Sequence, residues 1–337
     1  MVSQNPKAGF QIQCPDGIPL VKLPNRLSVL EAVTFKETCQ KLCKQPISSN
    51  RLVLDFSQTT FIDSSGIGAL VSNYKFACAE GIELILLNPN PQVLSVLAMT
   101  GLDAVFTVET RGKASQFREA AKRHSKQRDR HLPTTHPSVR SPFKRMIDIV
   151  GAIIGLGITT VLFPPIAIAI KLDSPGPIFF GQVRCGWMGR RFKMWKFRSM
   201  CLDAEARKSQ VSNQAQGAFF KNENDPRITR VGKFLRRTSL DELPQFWNVL
   251  KGEMSLVGTR PPTPDEVDRY EVPEWQRLDV KPGMTGEWQV NGRSSIRSFE
   301  DVIELDLRYQ KTWTFRHDIK LILKTIIILF RKNSGAA

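Results

Sequence analysis

The sequence lacks the paired cysteines that hold a structural zinc ion. It has six cysteines and no CxxC pair. Cys39 and Cys43 lie four residues apart, which on a helix would place two thiols on one face, but no second Cys or His pair accompanies them. A structural zinc site needs four ligands, so we expect none here, and we expect reduced thiols in a cytosolic setting.

Apolar segments are also scarce. The first 20 residues contain Pro15, Asp16 and Pro19 and have no apolar core, which predicts that no secretory signal peptide is present. Only residues 149–170 form a long uncharged apolar run, whereas a polytopic membrane protein needs many runs of about 20 residues. The hydrophobic fraction of 41% still suffices for packed cores and excludes a wholly disordered chain.

Acidic residues are outnumbered, because 48 Lys and Arg stand against 32 Asp and Glu and give a formal net charge of +16. The excess is unevenly placed: residues 1–110 carry −1, residues 111–145 carry +9 and residues 146–337 carry +8. A basic chain favours an anionic partner, which composition leaves open as nucleic acid, a membrane surface or a phosphorylated substrate.

The first hundred residues alternate between helix and strand patterns. Apolar residues recur at helical spacing in residues 27–44, 64–79 and 92–99, and short apolar runs typical of buried strands lie at 51–56 and 81–87. This alternation predicts an α/β sandwich at residues 10–110. The length of 337 residues leaves room for a further domain.

Residues 111–142 differ from what precedes them. They hold Lys and Arg clusters, three of the four histidines and three prolines. Residues 113–130 could form a helix, and the second half has the Pro, Ser and Thr content of a linker. Regular interleaving of aromatic and basic residues, which base stacking would need, is absent. A solvated or membrane-surface linker is therefore a better interpretation than a nucleic-acid arm.

The apolar run 149–170 is long enough to cross a bilayer, and Pro164 and Pro165 interrupt it. Two interpretations fit: a helix that enters the membrane, bends at the prolines and returns to the same face, or a tilted span with a kink. We place this membrane helix at residues 143–172 and expect a second domain of α/β type, with amphipathic interfacial helices, at residues 173–333.

The end of that domain is a short apolar segment. Residues 319–330 include Lys320 and Lys324, four apart, which predicts an amphipathic helix at the membrane interface. His317 precedes it and is expected at the interface rather than in catalysis. Trp275, Trp288 and Trp313 are interpreted as core residues or interfacial anchors.

One chemical motif is Asp63-Ser64-Ser65-Gly66, which lies between a strand and a helix. Ser64 or Ser65 would sit at a helix N-terminus, where free N–H groups and the helix dipole favour an anion. Residues 10–110 resemble the STAS domain of sulfate transporters and anti-sigma-factor antagonists. The resemblance implies that the serine before the glycine, Ser65, is phosphorylated by a partner kinase, with Ser64 as its neighbour. The alternative is that Asp63 and these serines only cap the helix.

A second motif is the carboxylate pair Asp241-Glu242. Ser239 and Glu242 match a capping box at a helix start, so Glu242 has a structural interpretation. Adjacent carboxylates at a dipole-positive helix end should also stay ionised, and an ionised carboxylate can attack phosphorus. Arg236 and Arg237 lie just upstream and would hold phosphate oxygens.

From residue 144 onward the chain resembles the monotopic phosphoglycosyl transferases, also called bacterial sugar transferases. The matching motifs occur in order over about 190 residues. They are a K-R-x-x-D start (Lys144, Arg145, Asp148), the proline-broken helix, GPIFFGQVRCG (176–186), KFRSM (196–200), NDPRITRVGKFLRRTSLDELPQFWNVLKGEMSLVG (224–258) and KPGMTGEWQVNGR (281–293).

The resemblance implies a covalent reaction. Asp241 would attack the β-phosphate of a UDP-sugar and UMP would leave. Polyprenyl (undecaprenyl) phosphate would then attack the phospho-sugar enzyme and give a polyprenyl-diphosphate sugar that starts an exopolysaccharide or other surface glycan. Glu242 is implied as the assisting acid or base. Mg²⁺, with Asp241 as its candidate ligand, would offset the pyrophosphate charge.

Further residues are implied as substrate contacts. They are Lys196, Arg198, Arg236, Arg260, Pro261, Lys281 and Gly283. A solvated basic strand remains an alternative for KFRSM, and simple turn geometry remains one for KPGMTG. The family usually has G-P-R-P where this sequence has Gly258-Thr259-Arg260-Pro261, which puts the sugar contacts of that loop in doubt.

The resemblance also bears on topology and partners. The proline-broken helix is re-entrant in this family, which implies a monotopic protein of the cytoplasmic membrane with both domains facing the cytosol. The expected partners are a UDP-sugar, polyprenyl phosphate, inner-membrane lipid, a kinase or regulatory protein on the STAS domain and a second copy in a homodimer, with no nucleic acid. The alternative function is a membrane-tethered STAS signalling protein whose transferase half is inactive.

Overall fold

The computed structural model describes most of the chain. The described residues are 10–45, 50–110, 135–214, 222, 224–292, 296 and 298–330. They fall into two compact units. The first comprises Met1–Thr135 with two short segments of later sequence, Met188–Arg190 and Tyr270–Asp279, and the second comprises His136–Trp187, Arg191–Arg269 and Val280–Ala337. The predicted helix at 113–130 lies outside the described residues.

A five-stranded sheet forms the centre of the first unit. Its strands are β1 (Gln11–Gln13), β2 (Leu20–Lys22), β4 (Arg51–Asp55), β6 (Glu83–Leu87) and β7 (Thr107–Glu109), in the order β1-β2-β4-β6-β7. Only β1 and β2 are antiparallel; the other neighbours in this sheet are parallel. Leu52 and Leu54 are fully buried, which explains the run of aliphatic residues in β4. A smaller parallel pair joins β3 (Arg26–Leu27) to β5 (Phe61–Ile62).

Three helices complete this α/β domain: α1 (Val29–Cys43), α2 (Ser64–Ala79) and α3 (Pro91–Thr100). The Asp63 side chain accepts a hydrogen bond from the Gly66 N–H at 2.9 Å and caps α2. Gly101 ends α3 with φ of 76°, a conformation that glycine adopts without strain. The predicted α/β sandwich is confirmed, and α2 has the predicted bounds.

A 32-residue helix dominates the second unit. After the short helix α4 (Pro137–Arg140), α5 runs from Pro142 to Asp173 and continues through Pro164 and Pro165. Among the described residues it is the one helix long and apolar enough to cross a membrane. Val150, Ile153, Ile154, Ile158, Val161 and Ile168 on it are exposed. An exposed apolar surface of this extent marks a helix that faces lipid or a partner rather than a soluble core.

The start of α5 is fixed by buried polar contacts. Lys144 donates to Asp318 at 2.6 Å and to the Val257 carbonyl at 2.9 Å. Asp148 accepts from the Ser255 hydroxyl at 2.9 Å. The K-R-x-x-D motif is therefore an anchor that ties the helix to distant parts of the chain.

The remaining elements of the second unit are short. They are β8 (Phe179–Cys185), β9 (Arg191–Phe197), α6 (Arg230–Arg237), α7 (Gln245–Lys251), β10 (Ser255–Val257), α8 (Pro264–Val267), β11 (Gly283–Thr285), α9 (Glu287–Val290), α10 (Phe299–Lys311) and α11 (Phe315–Phe330). β8 and β9 form an antiparallel pair, and β10 and β11 a parallel one. On α11, Leu321 is buried while Leu323, Ile326 and Ile327 are exposed, as expected for an amphipathic helix.

Candidate active site

The Asp241-Glu242 pair lies in one turn of 3-10 helix, Leu240–Glu242, just before α7. Ser239 has the left-handed φ of 55°, and its side chain makes no capping hydrogen bond. The predicted capping box is therefore wrong, because an N-cap residue needs an extended backbone. The nearby Leu240 and Leu243 pack against a buried cluster that includes Ile166 of α5, so the pair sits close to the long apolar helix.

Lys196 contacts both members of the pair. This residue lies on β9, and its Nζ is 2.9 Å from Oε1 of Glu242 and 3.9 Å from Oδ2 of Asp241. Asp241 is buried, with a residue exposure of 5%. An ammonium group at these distances stabilises negative charge on both carboxylates. Lys196 was predicted as a substrate contact, which stays a prediction; the structure places it against the Asp241-Glu242 pair and in the lining of the adjacent cavity.

A cavity of about 420 Å³ opens beside Asp241. Seven of its lining residues are basic: Arg184, Lys196, Arg198, Arg227, Arg236, Arg260 and Arg269. Phe179 and Phe180 add apolar surface to the same wall. Guanidinium groups bind phosphate oxygens in bidentate fashion, so this arrangement suits a ligand that carries more than one phosphate.

Several of these arginines already form ion pairs or hydrogen bonds with other residues of the chain. Arg227 pairs with Asp225 at 2.6 Å. Arg198 donates to the carbonyl oxygens of Pro175 and Ser174 at 2.7 and 2.6 Å, so it fastens the end of α5. Its predicted role in substrate binding stays a prediction, but these contacts favour a structural one.

Two cavity arginines are differently placed. Arg236 and Arg269 make no side-chain hydrogen bond or salt bridge to another residue in the described part of the chain. Their donors are therefore the ones most readily offered to an anionic ligand. Arg236 was predicted, whereas Arg269 was missed because it lies outside the motifs of the sequence, twelve residues before Lys281 and the KPGMTG segment.

Arg260 is held in place by Glu266. Its two terminal nitrogens lie 2.7 and 3.1 Å from the two carboxylate oxygens. Burial alone would raise the pKa of Glu266, but Arg260 and the nearby Arg184 outweigh it and lower the pKa to about 2. The carboxylate is thus charged over the whole physiological range, and the Arg260 guanidinium is oriented before any ligand arrives.

The predicted contacts of KPGMTG are not found at the cavity. Lys281 and Gly283 are not among the described residues that line it. Gly283 begins β11 rather than a turn, and a Cβ there would lie 2.1 Å from the Gly258 nitrogen. The glycine is therefore required by the close approach of two backbones. Thr259 stands where the family usually has proline, and its carbonyl oxygen accepts a hydrogen bond from the Gly283 N–H at 2.9 Å.

Pro261 contacts a residue of the cavity lining through its backbone. Its carbonyl oxygen accepts a hydrogen bond from Arg184 at 2.9 Å, and Arg184 lines the cavity. Arg184 was missed by the sequence analysis although it lies in the quoted motif GPIFFGQVRCG. That motif showed a family match but did not distinguish which of its residues would face the cavity.

The dyad is compatible with a magnesium ion. Asp241 and Glu242 supply two neighbouring carboxylates, and no cluster of three or more metal-ligating side chains occurs among the described residues. Mg²⁺ typically takes one or two protein carboxylates and completes its shell with water and substrate phosphate oxygens. The donor set therefore fits an ion that arrives together with a phosphorylated ligand.

The Asp63-Ser64-Ser65-Gly66 motif forms the first turn of α2 in the first unit. Asp63 caps the helix, as the structural alternative predicted. Ser64 and Ser65 are both 0% exposed, and the Ser65 hydroxyl has no hydrogen-bond partner among the described residues. Phosphorylation of Ser65 stays a prediction, and it would require this buried turn to open.

Comparison with known families assigns both halves of the chain. A bacterial sugar transferase model matches residues 139–332. The chain belongs to the bacterial sugar transferase family. A STAS domain model matches residues 9–115, so the chain carries a STAS domain ahead of its sugar transferase domain.

Individual relatives match a little more than half of the chain. "Galactosyl transferase CpsE" of Streptococcus agalactiae is 51% identical over 191 residues, which cover 55% of this chain and 42% of that protein. The "exopolysaccharide production protein ExoY" of Rhizobium meliloti is 37% identical over 189 residues, covering 54% of this chain and 83% of that protein. The chain thus spans about two fifths of the length of relatives such as CpsE.

Solved structures are similar to the first half of the sugar transferase. An anti-sigma-factor antagonist (STAS) domain protein from Planctomyces limnophilus is 19% identical, with a TM-score of 0.28, and the match covers 34% of this chain and 96% of that one. The anti-sigma factor antagonist SpoIIAA in its unphosphorylated form is 20% identical, with a TM-score of 0.28 and coverage of 34% and 97%.

Proposed function

We propose that this sugar transferase moves a sugar 1-phosphate from a UDP-sugar to polyprenyl phosphate through a covalent intermediate on Asp241, and so starts a surface glycan. The observation that carries the proposal is the Asp241-Glu242 pair, paired with Lys196, at the edge of a cavity with seven basic residues. The "undecaprenyl-phosphate galactose phosphotransferase" of Salmonella typhimurium, 43% identical over 198 residues, supports this class of reaction.

In the first step, a carboxylate oxygen of Asp241 forms a bond to the phosphorus that carries the sugar. The bond from that phosphorus to the bridging oxygen breaks, and UMP leaves with the electron pair. Arg236, Arg260 and Arg269 are placed to bind the phosphate oxygens on which charge builds up. Lys196 contacts Glu242 and lies beside Asp241, so it keeps the attacking carboxylate of Asp241 oriented.

In the second step, a phosphate oxygen of polyprenyl phosphate attacks the same phosphorus and the bond to Asp241 breaks. Glu242 is the residue best placed to hold a proton during these exchanges, since its carboxylate adjoins Asp241 in the same turn. Phe179 and Phe180 on the cavity wall and the apolar surface of α5 support the approach of a lipid from this side. A magnesium ion held by Asp241 or Glu242 would supply charge neutralisation for the pyrophosphate.

We further propose that the protein is monotopic, with α5 re-entrant and both domains on the cytosolic face. The exposed apolar residues of α5 and α11 support contact with one leaflet of the bilayer. The STAS domain would act as a regulatory module that receives a kinase or another protein near Ser65. A homodimer is a further expectation of this proposal.

The activity is tested with purified full-length protein, undecaprenyl phosphate, Mg²⁺ and a panel of UDP-sugars, with UMP release as the readout. One donor should give turnover that Asp241→Asn lowers by at least a thousandfold and that chelation of the metal abolishes. Asp301→Asn, at an exposed position of α10, is the matched control and should behave like the wild type. Equal UMP release from wild type and Asp241→Asn with every donor would favour the alternative of an inactive transferase half.

A further inference from the structure

A segment from the transferase half of the sequence is packed onto the STAS domain. Residues Val272–Asp279 form a 3-10 helix within the first unit. Asp279 accepts a hydrogen bond from the Ser64 N–H at 3.0 Å, and Lys36 of α1 pairs with Glu271 at 2.6 Å. The segment therefore contacts both α1 and the start of α2.

Trp275 makes the tightest of these contacts. It is 7% exposed, and a Cβ placed on Gly68 would lie 2.5 to 2.6 Å from three atoms of its indole ring. All three nearest atoms to that Cβ belong to Trp275. Gly68 is therefore a glycine in mid-helix because the indole lies directly against the α2 backbone.

The covered face of α2 is the one that carries the serines. Ser64, Ser65 and Gly68 share a face because residues three and four apart on a helix are neighbours. The Sδ of Met188, from the other short segment of this unit, lies 3.5 Å from the Ser64 hydroxyl. The two serines are thus buried on a face to which Trp275, Asp279 and Met188 contribute.

The covering segments are covalent continuations of the cavity walls. Tyr270 directly follows Arg269, which lines the cavity. Met188–Arg190 joins β8 to β9, the strands that carry Arg184 and Lys196.

We propose that the N-terminal face of α2 is a binding surface for the chain's own segment Tyr270–Asp279, and that this intramolecular contact holds Arg269, the residue directly before the segment, in its ligand-binding position. A protein or phosphate that reaches Ser64 or Ser65 must displace the segment first. A phosphate there would add about two negative charges beside Asp63 and Asp279, so docking and phosphorylation exclude each other. The effect on the cavity rests on the proposed transferase function, whereas the docking does not.

The docking is tested by hydrogen–deuterium exchange on the full-length protein with Gly68→Ala. An alanine in a helix interior stabilises the helix relative to glycine, so α2 itself should not loosen. The added methyl group should nevertheless expel Trp275, and amides of 270–279 should exchange at least tenfold faster while those of β4 and β6 keep their protection. Gly157→Ala on α5, where a Cβ meets nothing within 4 Å, is the matched control.

Trp275→Ala tests the same contact by removing the indole ring that packs against Gly68. It should also speed exchange in 270–279, and adding Gly68→Ala to it should cause no further increase, because the overlapping ring has gone. Unchanged exchange of 270–279 in Gly68→Ala would overturn the proposal. Loss of protection in β4 and β6 of Trp275→Ala would also overturn it, since the segment would then be part of the STAS core rather than a ligand of it.

The coupling to the cavity is read from UMP release. Gly68→Ala should raise the KM for the UDP-sugar at least fivefold, with a smaller change in kcat. If residues 270–279 exchange faster but the KM is unaltered, the docking is supported and its effect on the cavity is ruled out. If no donor supports turnover at all, the transferase proposal fails, while the exchange result still decides the docking.

Discussion

At the scale of single residues, one cation, Lys196, contacts both carboxylates of the Asp241-Glu242 pair. Lys196 contacts Glu242 at 2.9 Å and Asp241 at 3.9 Å, and it reaches them from β9 rather than from the dyad's own turn. Both carboxylates would repel each other and any phosphate if that charge were removed. Lys196 is therefore expected to position the dyad as well as to neutralise it.

Replacement of Lys196 tests this role. Lys196→Ala should lower kcat/KM for UMP release about a hundredfold, a loss of about 2.7 kcal/mol of transition-state stabilisation. Lys193→Ala is the matched control, because residues 193 and 196 point to opposite faces of the strand. Steady-state kinetics on both variants make the comparison. Equal kcat/KM for Lys196→Ala and the control would mean that the ion pair has no part in the reaction.

A second residue-scale prediction concerns pH. Burial, reinforced by the neighbouring carboxylate of Asp63, raises the pKa of Asp279 to about 7. Burial also raises the pKa of Asp63 to about 6, with Glu31 adding to the rise and Arg26 opposing it. Both carboxyls therefore keep their protons longer when buried than when exposed, so the docked segment is most stable at low pH.

Docking should accordingly weaken as the pH rises through 6 to 7. Exchange in 270–279, corrected for the intrinsic effect of pH on amide exchange, should be faster at pH 8 than at pH 5.5. Asp279→Asn should flatten the profile. An identical profile in Asp279→Asn would show that another group titrates.

At the scale of elements, the start of α5 is anchored by buried charges. Lys144 and Asp318 are 8% and 5% exposed in their side chains, and Tyr309 donates to Asp318 at 2.9 Å. Arg145 donates to the Val249 and Leu250 carbonyls at 2.8 and 2.7 Å, at the end of α7. These contacts give the family's K-R-x-x-D motif a structural purpose.

Breaking this anchor should destabilise the fold. Lys144→Ala leaves the Asp318 carboxylate buried without its cation, a change that typically costs about 3–5 kcal/mol. Thermal unfolding of the solubilised protein should show a Tm several degrees lower. Lys171→Ala, an exposed change at the other end of α5, should leave the Tm near that of the wild type. Equal Tm values for the two variants would contradict the anchor.

The elements also show which features a sequence can predict. The bounds of α2 followed from local patterns, because Asp63 and the apolar periodicity mark it without help from the rest of the chain. The structure of KPGMTG did not follow from local patterns, because β11 forms only through the close approach of its backbone to that of Gly258. The capping box failed because Ser239 is left-handed. The contacts that cover Ser64 could not be predicted, because Met188 and Asp279 lie 124 and 215 positions later in the sequence.

At the scale of the whole molecule, the charge of the chain has a partial explanation. The first 110 residues carry none of the excess, and seven basic residues of the second unit face one cavity. The basic linker at 111–134 lies outside the described residues. Its place before an apolar helix still predicts attraction to anionic lipid.

Topology is the prediction that belongs to this scale. Single cysteines introduced after Val2 and near residue 260, in a variant without the native thiols, should both be labelled from the cytosolic side only. A re-entrant α5 returns the chain to the face it left, whereas a span would separate the two sites. Labelling from opposite sides would establish a span and contradict the monotopic arrangement.

The covalent intermediate on Asp241 is the central claim, and intact-protein mass spectrometry tests it most directly. Incubation with the active UDP-sugar and Mg²⁺, without polyprenyl phosphate, should add the mass of one sugar phosphate less one water, and fragmentation should place it on Asp241. The adduct should disappear when the lipid phosphate is added and should be absent from Asp241→Asn. Turnover without any adduct, or an adduct that survives in Asp241→Asn, would contradict the account.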